Sequence, residues 1–384
     1  MTASIQGNPS RHQEDKPSLR ESTAYLQEQL ITYIGNKRAL LDFIGQGVQL
    51  VREKVGKERL AIFDCFSGSG VVARYLRQFA SRMWVNDLEL YSAIINRCYQ
   101  SNKDQADTED LRRLHADLSR QLKETPLEPG FISRLYAPAD DTNIQPGERC
   151  FYTTRNARYL DTARRLIGQL VPPQLQHFFL APLLSQASIH ANTSGVFKGF
   201  YKNRAGVGQF GGTGRDALQR IAAPITLPYP VFSNFSCPVE VSQLEAQTAA
   251  ERLPPIDLAY LDPPYNQHPY GSNYFMLNLL ATGQEPSQLS LVSGIPADWN
   301  RSRYNKARHI AQALEKLIAT IPASFLLVSY NSEGFIKPEE MTALLARHGK
   351  TGRLECPYNT FRGSRNLSSR SLHVTEFLYV VDKR

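Results

Sequence analysis

The chain has 384 residues, 44 Lys and Arg against 36 Asp and Glu, and a formal charge of +8. That length holds a large core, in one domain with an insertion or in two domains, and the modest basic excess favours a polyanionic partner without proving one. No apolar stretch reaches membrane-spanning length, no secretory segment opens the chain, and five scattered cysteines (Cys65, Cys98, Cys150, Cys237 and Cys356) point to a reduced cytoplasmic protein without a zinc site.

Residues 1 to 28 are polar and charged, so a poorly ordered arm is expected there. Next comes Tyr33-Ile34-Gly35-Asn36-Lys37-Arg38-Ala39-Leu40-Leu41. Gly35 suggests a turn, and Lys37 and Arg38 open a helix whose apolar face is Leu40, Leu41 and Ile44. Taken alone, that is an ordinary surface helix start with solvated basic residues.

Leu60 to Asp64 is an apolar run ending in an acid. The turn Cys65-Phe66-Ser67-Gly68-Ser69-Gly70 follows, then Val71 to Leu76, which suits a helix. Strand, glycine turn and helix form the opening unit of a doubly wound α/β sheet. The turn carries no lysine, which argues against a phosphate-gripping loop. A second strand, Met83-Trp84-Val85, runs into Asn86-Asp87. An acid there is placed to hold a ribose diol, and the pairing fits a dinucleotide or S-adenosylmethionine equally well.

After the helix from Tyr91 to Arg97, about 130 residues (103–230) separate the second strand from the third, far too many for a loop. Helices are expected at Leu111–Leu122, Ala157–Leu170 and Leu175–Ile189. Beyond them, Lys198, Lys202 and Arg204 interleave with Phe197, Phe200 and Tyr201, and a glycine-rich loop runs from Gly206 to Gly214. Bases alternating with aromatics suit phosphate contacts and base packing; a half-buried hairpin with solvated lysines is the competing reading. The third strand is expected near Pro238–Val241.

Pro255 to Leu261 reads as a buried strand closed by Asp262-Pro263-Pro264-Tyr265. The amino nitrogen of adenine is a poor nucleophile, because its lone pair is delocalised into the ring. Asp262 and the Pro263 carbonyl offer two acceptors for its protons. Pro264 stiffens the turn, and Tyr265 offers a face on which an extruded base can stack. Asp-Pro-Pro is also a common turn string, so the tetrapeptide alone leaves the matter open. Tyr270 to Tyr274 then leads into an apolar helix, Phe275–Leu280. Strands are expected at Phe325–Tyr330 and Glu376–Val381, with a basic loop from Tyr358 to Asn366 between them.

Together, Tyr-x-Gly-x-Lys, Asp-x-Phe-x-Gly-x-Gly, Asn-Asp and Asp-Pro-Pro-Tyr, in that order, resemble the Dam-like, α-group DNA N6-adenine methyltransferases. The likeness spans roughly residues 31 to 380 and is closest to the branch associated with type IIS restriction–modification systems. Three more stretches resemble that branch: Phe151–Thr153 with Asn156-Ala157, Ala191–Phe197, and Ser329-Tyr330-Asn331. The implied fold is a Rossmann-like S-adenosylmethionine-dependent methyltransferase sheet, residues 29–102 and 231–384. A mostly helical target-recognition domain, residues 103–230, would be inserted in it. The implied cofactor contacts are Tyr33, Gly35 and Lys37; Asp64, Phe66, Ser67, Gly68 and Gly70 of the turn; Asp87 on the ribose; and Leu88 on the cofactor's adenine. Asp262, Pro263, Pro264 and Tyr265 would hold the target base. Asn192, Ser194, Lys198, Lys202, Arg204, Arg362 and Arg365 are the candidate DNA contacts. An acid that the family often places after the third strand is not evident at Ser242-Gln243-Leu244, and Glu245 is a substitute in uncertain register.

The expected activity is methylation of adenine N6 in double-stranded DNA by a monomeric enzyme, with a cognate restriction endonuclease as a candidate partner. Methylation of RNA or a protein amide, and a catalytically dead DNA-binding regulator, are the alternatives.

Overall fold

The computed structural model describes residues 20–212, 214–359 and 373–384. Its strands are β1 (Leu60–Asp64), β2 (Ala80–Asp87), β3 (Val239–Gln243), β4 (Ile256–Leu261), β5 (Ala323–Asn331), β6 (Lys350–Asn359) and β7 (His373–Asp382). They form one sheet in the order β3-β2-β1-β4-β5-β7-β6. β1 to β5 run parallel, and β7 is antiparallel to both neighbours. The central strands are short and apolar because both of their faces are covered. In β4 every residue but Asp257 is buried.

This order decides where chemistry can happen. β1 pairs with β4, with Asp64 opposite Tyr260, so the two turns that follow open side by side. The crevice at such a switch of strand order is where open α/β sheets bind ligands. Because β7 returns antiparallel, Glu376 near its start lies opposite Asn331 at the end of β5. The last strand thus brings its first residues to the edge where the parallel strands end.

One face of the sheet packs on Leu41–Val55 and Val71–Leu76, with Leu40, Leu41 and Ile44 buried as their spacing predicted. The other packs on Ala246–Glu251, Ile310–Thr320 and Pro338–Ala346. The expected helices in the insertion form as Glu109–Glu124, Thr154–Leu170 and His177–Ile189. They do not enclose a core of their own. One apolar cluster joins them to Leu90–Tyr99 and Phe275–Thr282. The chain boundary near residue 103 therefore falls inside a packed layer.

The arm expected over residues 1–28 needs correction at its inner end. Thr23–Gln27 is helical, and Tyr25 is fully buried with its hydroxyl donating to the Tyr99 carbonyl at 2.6 Å. Buried Arg74 donates to the carbonyls of Tyr25, Glu28 and Gln29 and lies 3.7 Å from the centre of the Tyr99 ring. One aromatic anchor and one guanidinium hold a segment whose polar composition hides it. β6 was also not anticipated: as an edge strand it is polar and lacks a clear apolar alternation. Among the described residues, no helix is long and apolar enough to cross a membrane.

Candidate active site at the carboxyl edge of the sheet

The glycine turn after β1 is held by its neighbours in three dimensions. Gly68 and Gly70 adopt φ of +52° and +77°, in the left-handed region that glycine tolerates best. Asp87, at the end of β2, accepts from the Gly68 amide at 2.8 Å and from the Glu89 amide at 2.9 Å, one bond to each oxygen. Ser67 donates its amide to the Asn86 carbonyl at 3.0 Å, and its hydroxyl accepts from the Asn96 amide group at 2.8 Å. A Cβ on Gly68 would sit 2.8 Å from the Tyr33 ring. Gly68→Ala is therefore expected to weaken the affinity of a ligand bound against this turn at least about tenfold while lowering stability by only about 1–3 kcal/mol. Calorimetric titration beside a thermal melt checks this.

A single cavity runs from this turn to the Asp262 turn. Tyr33, Gly35, Lys37, Phe66, Ser67, Gly68, Asp87 and Leu88 line it, as do Asp262 and Pro264. Asp64, Gly70, Pro263 and Tyr265 are not among its lining residues. Asp64 is fully buried, and neither carboxylate oxygen meets a donor at hydrogen-bonding geometry. Burial, then the charges of Asp262 and Asp87, push its carboxyl well above the usual range, with the Phe66 amide pulling weakly the other way.

The structure settles the register after β3. Glu245 lines the cavity and caps Ala246–Glu251, accepting from the Gln247 amide at 2.8 Å. It also adds residues that sequence reasoning missed. Glu89 is buried, and burial pushes its carboxyl up to about 7 although it accepts from Asn278 at 2.6 Å and Asn300 at 3.1 Å. An acid two residues after Asp87 was the available signal. Asn300 and Tyr304 also line the cavity, from a stretch without any recognisable motif.

Lys37 is the electrostatic centre of the Asp262 end of the cavity. It is buried, and its Nζ lies 2.8 Å from Glu376 Oε1 and 3.3 Å from Asp262 Oδ1. Glu376 Oε1 also accepts from the Ser329 hydroxyl at 2.8 Å. Burial alone would lower the lysine pKa, but Asp262 and Glu376 hold it well above the usual range. The 3.3 Å approach is a charge contact and not an aligned hydrogen bond, since Asp262 Oδ1 has no bonded partner. Burial pushes the Asp262 carboxyl up to about 6 against the pull of Lys37. Tyr265 meets Tyr330 edge to face at 5.5 Å, and Lys37 Nζ lies 5.5 Å from the centre of its ring. Tyr33 stacks on Tyr270 and Tyr274 at 4.9 and 4.7 Å. Those two hydroxyls bond the backbone of Ile34, fixing the Tyr33–Lys37 segment against the helices that follow the Asp262 turn.

Residues 33–344 match the family model described as D12 class N6 adenine-specific DNA methyltransferase. The chain belongs to this family. Methylation of adenine in DNA is thus its reaction class. It is 25% identical over 360 residues to type II methyltransferase M.NlaIII of Neisseria lactamica, covering 92% of this chain and 99% of that one. It is 28% identical to type II methyltransferase M.CviAII of Paramecium bursaria Chlorella virus 1, covering 91% and 98% of the two chains. Type II methyltransferase M.FokI of Planomicrobium okeanokoites is 24% identical across 91% of this chain, which spans 52% of that longer protein.

In this D12 methyltransferase the candidate DNA contacts divide. Ser194, Lys198, Lys202 and Arg204 are exposed, and Lys202 pairs with Gly208 across a short hairpin. Asn192 is a correction. It is fully buried, its amide donating to the carbonyls of Cys150 at 2.8 Å and Gln209 at 3.2 Å and accepting from the Gly211 amide at 3.1 Å. Its side chain is spent pinning the basic hairpin to the body, so it is a scaffold residue and not a surface contact. Arg362 and Arg365 lie outside the described residues.

Proposed function

We propose that the enzyme binds S-adenosylmethionine along the Gly68–Asp87 end of the cavity and methylates N6 of an adenine extruded from double-stranded DNA. One observation carries the reading: the Asp262 turn and the glycine turn open into one cavity lined by Asp87, Lys37 and Pro264. The residues fit that cofactor. The Gly68 turn has no room for a Cβ, and Asp64 is a buried carboxyl whose oxygens meet no donor at hydrogen-bonding geometry. Tyr33, Gly35, Phe66, Ser67 and Gly70 would shape the methionine end, Asp87 the ribose site, and Leu88 and Glu245 the adenine site. Bound there, the cofactor supplies an electrophilic methyl group on a sulfonium.

The chain's own residues prepare the acceptor. Asp262 and the Pro263 carbonyl accept the two amino protons, which draws the nitrogen lone pair out of conjugation. Pro264 fixes both acceptors, and the extruded base rests on Tyr265, a contact worth about 1–3 kcal/mol. Lys37 keeps the Asp262 carboxylate oriented and available. Ser194, Lys198, Lys202 and Arg204, with Arg362 and Arg365, hold the duplex. If Lys202 and Arg204 contact phosphate, replacing both by Ala should lower the slope of log affinity against log salt by about 1 per lost contact, leaving sequence preference unchanged. Filter binding over a salt series measures this.

The names of M.NlaIII and M.FokI place those proteins among type II methyltransferases. The proposal extends to action at a fixed site by a monomeric enzyme, with a cognate restriction endonuclease as its partner. Transfer of label from tritiated S-adenosylmethionine to duplex DNA, RNA and protein is the test. Recovery of N6-methyladenine from the DNA is expected; label confined to RNA or protein would overturn the proposal.

A further inference from the structure

Leu291 and Val292 are the most conspicuous exposed side chains of the described surface. They are 92% and 60% exposed, adjacent, and at the tip of a turn. Single exposed aliphatics are common; a consecutive pair held out at an apex is not. The turn is built to hold its shape. Ser290 and Ile295 pair at 2.9 Å, the Gly294 amide donates to the Ser290 carbonyl at 3.0 Å, and Leu289 bridges Pro296. Its base is fixed from outside as well. Arg149 donates to the carbonyls of Ser290 and Leu291 at 3.2 Å each, and the Tyr136 hydroxyl donates to that of Gly294 at 2.7 Å. Gly294, at φ +66°, leaves no space for a Cβ, which would meet Arg149 and Tyr136 at 2.8 Å. A rigid base with a bare apolar tip means that the tip is presented to something.

Its neighbours say what. The Ser293 hydroxyl donates to the carbonyl of Lys198, so the turn is bonded to the basic segment. One residue earlier, the Phe197 amide donates to the Asn273 carbonyl at 2.7 Å, in the helix Tyr270–Asn273 that follows the catalytic turn. The apolar tip is thus bonded to the Lys198 segment, and that segment to the helix Tyr270–Asn273, which starts five residues after Tyr265. Two side chains flanked by exposed Ser287, Gln288 and Ser290 are too small for a protein partner, which needs about 800 Å² on each side. They suit a stacked base step, where an apolar wedge beside phosphate-binding cations opens the stack.

We propose that Leu291 and Val292 form a wedge that enters the DNA stack next to the target adenine and lowers the cost of extruding it. The proposal rests on the reading that duplex DNA is the substrate. Because the pair is exposed, Leu291→Ser combined with Val292→Ser should leave the fold intact, which an unchanged melting temperature verifies.

The test compares wild type and this double variant in single-turnover methylation of two duplexes. Both carry the site mapped by methylation-sensitive sequencing, one fully paired and one mismatched at the target adenine. The variant should be about tenfold slower on the paired duplex and close to wild type on the mismatched one, whose adenine is already cheap to unstack. Equal rates for both proteins on paired DNA would overturn the wedge, as would the same loss on both duplexes. Failure of the wild type to methylate either duplex would instead remove the substrate reading on which the proposal stands.

Discussion

Asp262→Ala should lose methyl transfer by about 10³-fold or more while binding S-adenosylmethionine nearly as well as the wild type. Asp262 lines one end of the cavity, and the Gly68–Asp87 end, where the proposed cofactor would sit, is built from other elements. Rapid-quench turnover beside calorimetric titration separates the two effects; undiminished turnover would remove Asp262 from the mechanism. The protonation state supplies a second readout. Burial raises the Asp262 carboxyl to about 6, and its ionised form is the stronger acceptor for the one amino proton it takes in the proposed mechanism. The kcat profile should therefore rise through an acid limb near pH 6. Glu89→Gln should keep that limb, since Glu89, near 7, sits beside Asp87 and not at the Asp262 turn. Stability runs the opposite way. The folded pKa lies above the unfolded one, so the folded protein binds the proton more tightly. Asp262's contribution to stability is full below its unfolded pKa and is lost as pH rises to about 6. The ionisation that turns activity on weakens the fold in the same window.

Lys37→Met should have the next largest effect, and on both stability and rate. Glu376 and Asp262 would be left around one buried point with no cation. Removing one partner of a buried ion pair costs about 3–5 kcal/mol. Without Lys37, whose charge lowers the Asp262 pKa, that carboxyl should titrate higher and carry the acid limb of kcat up with it. Lys37→Arg keeps the charge and should recover part of the melting temperature. Glu376→Gln leaves Lys37 facing Asp262 alone and should cost less in rate than Lys37→Met. A limb that stays near pH 6 in Lys37→Met would show that the lysine does not govern Asp262.

The elements legible in the sequence were those whose signal is local. β1 and β4 are short apolar runs closed by distinctive turns, and the sheet sets those turns side by side. Lys37 was legible through its motif but not through its physics: a helix-start lysine reads as solvated, and only the fold buries it. Glu376 was read as the first residue of a strand. Its role depends on β7 returning antiparallel, which no local pattern encodes. Asn192 failed in the opposite sense, because a polar residue beside a basic hairpin looks like a contact until its amide is seen to be consumed by backbone. The helices of the insertion were legible from periodicity. Their merger with Leu90–Tyr99 and Phe275–Thr282 was not, since an apolar face does not name the partner that covers it.

The ion cluster draws Lys37 from near the start of the chain, Asp262 from its second half and Glu376 from its last strand. During synthesis the lysine and Asp262 emerge long before the glutamate that completes their charge balance. A nascent or truncated chain lacking β7 holds both turns without the strand that seats Lys37 between its carboxylates. The charge balance at the Asp262 turn thereby depends on β7, a strand that belongs to neither turn.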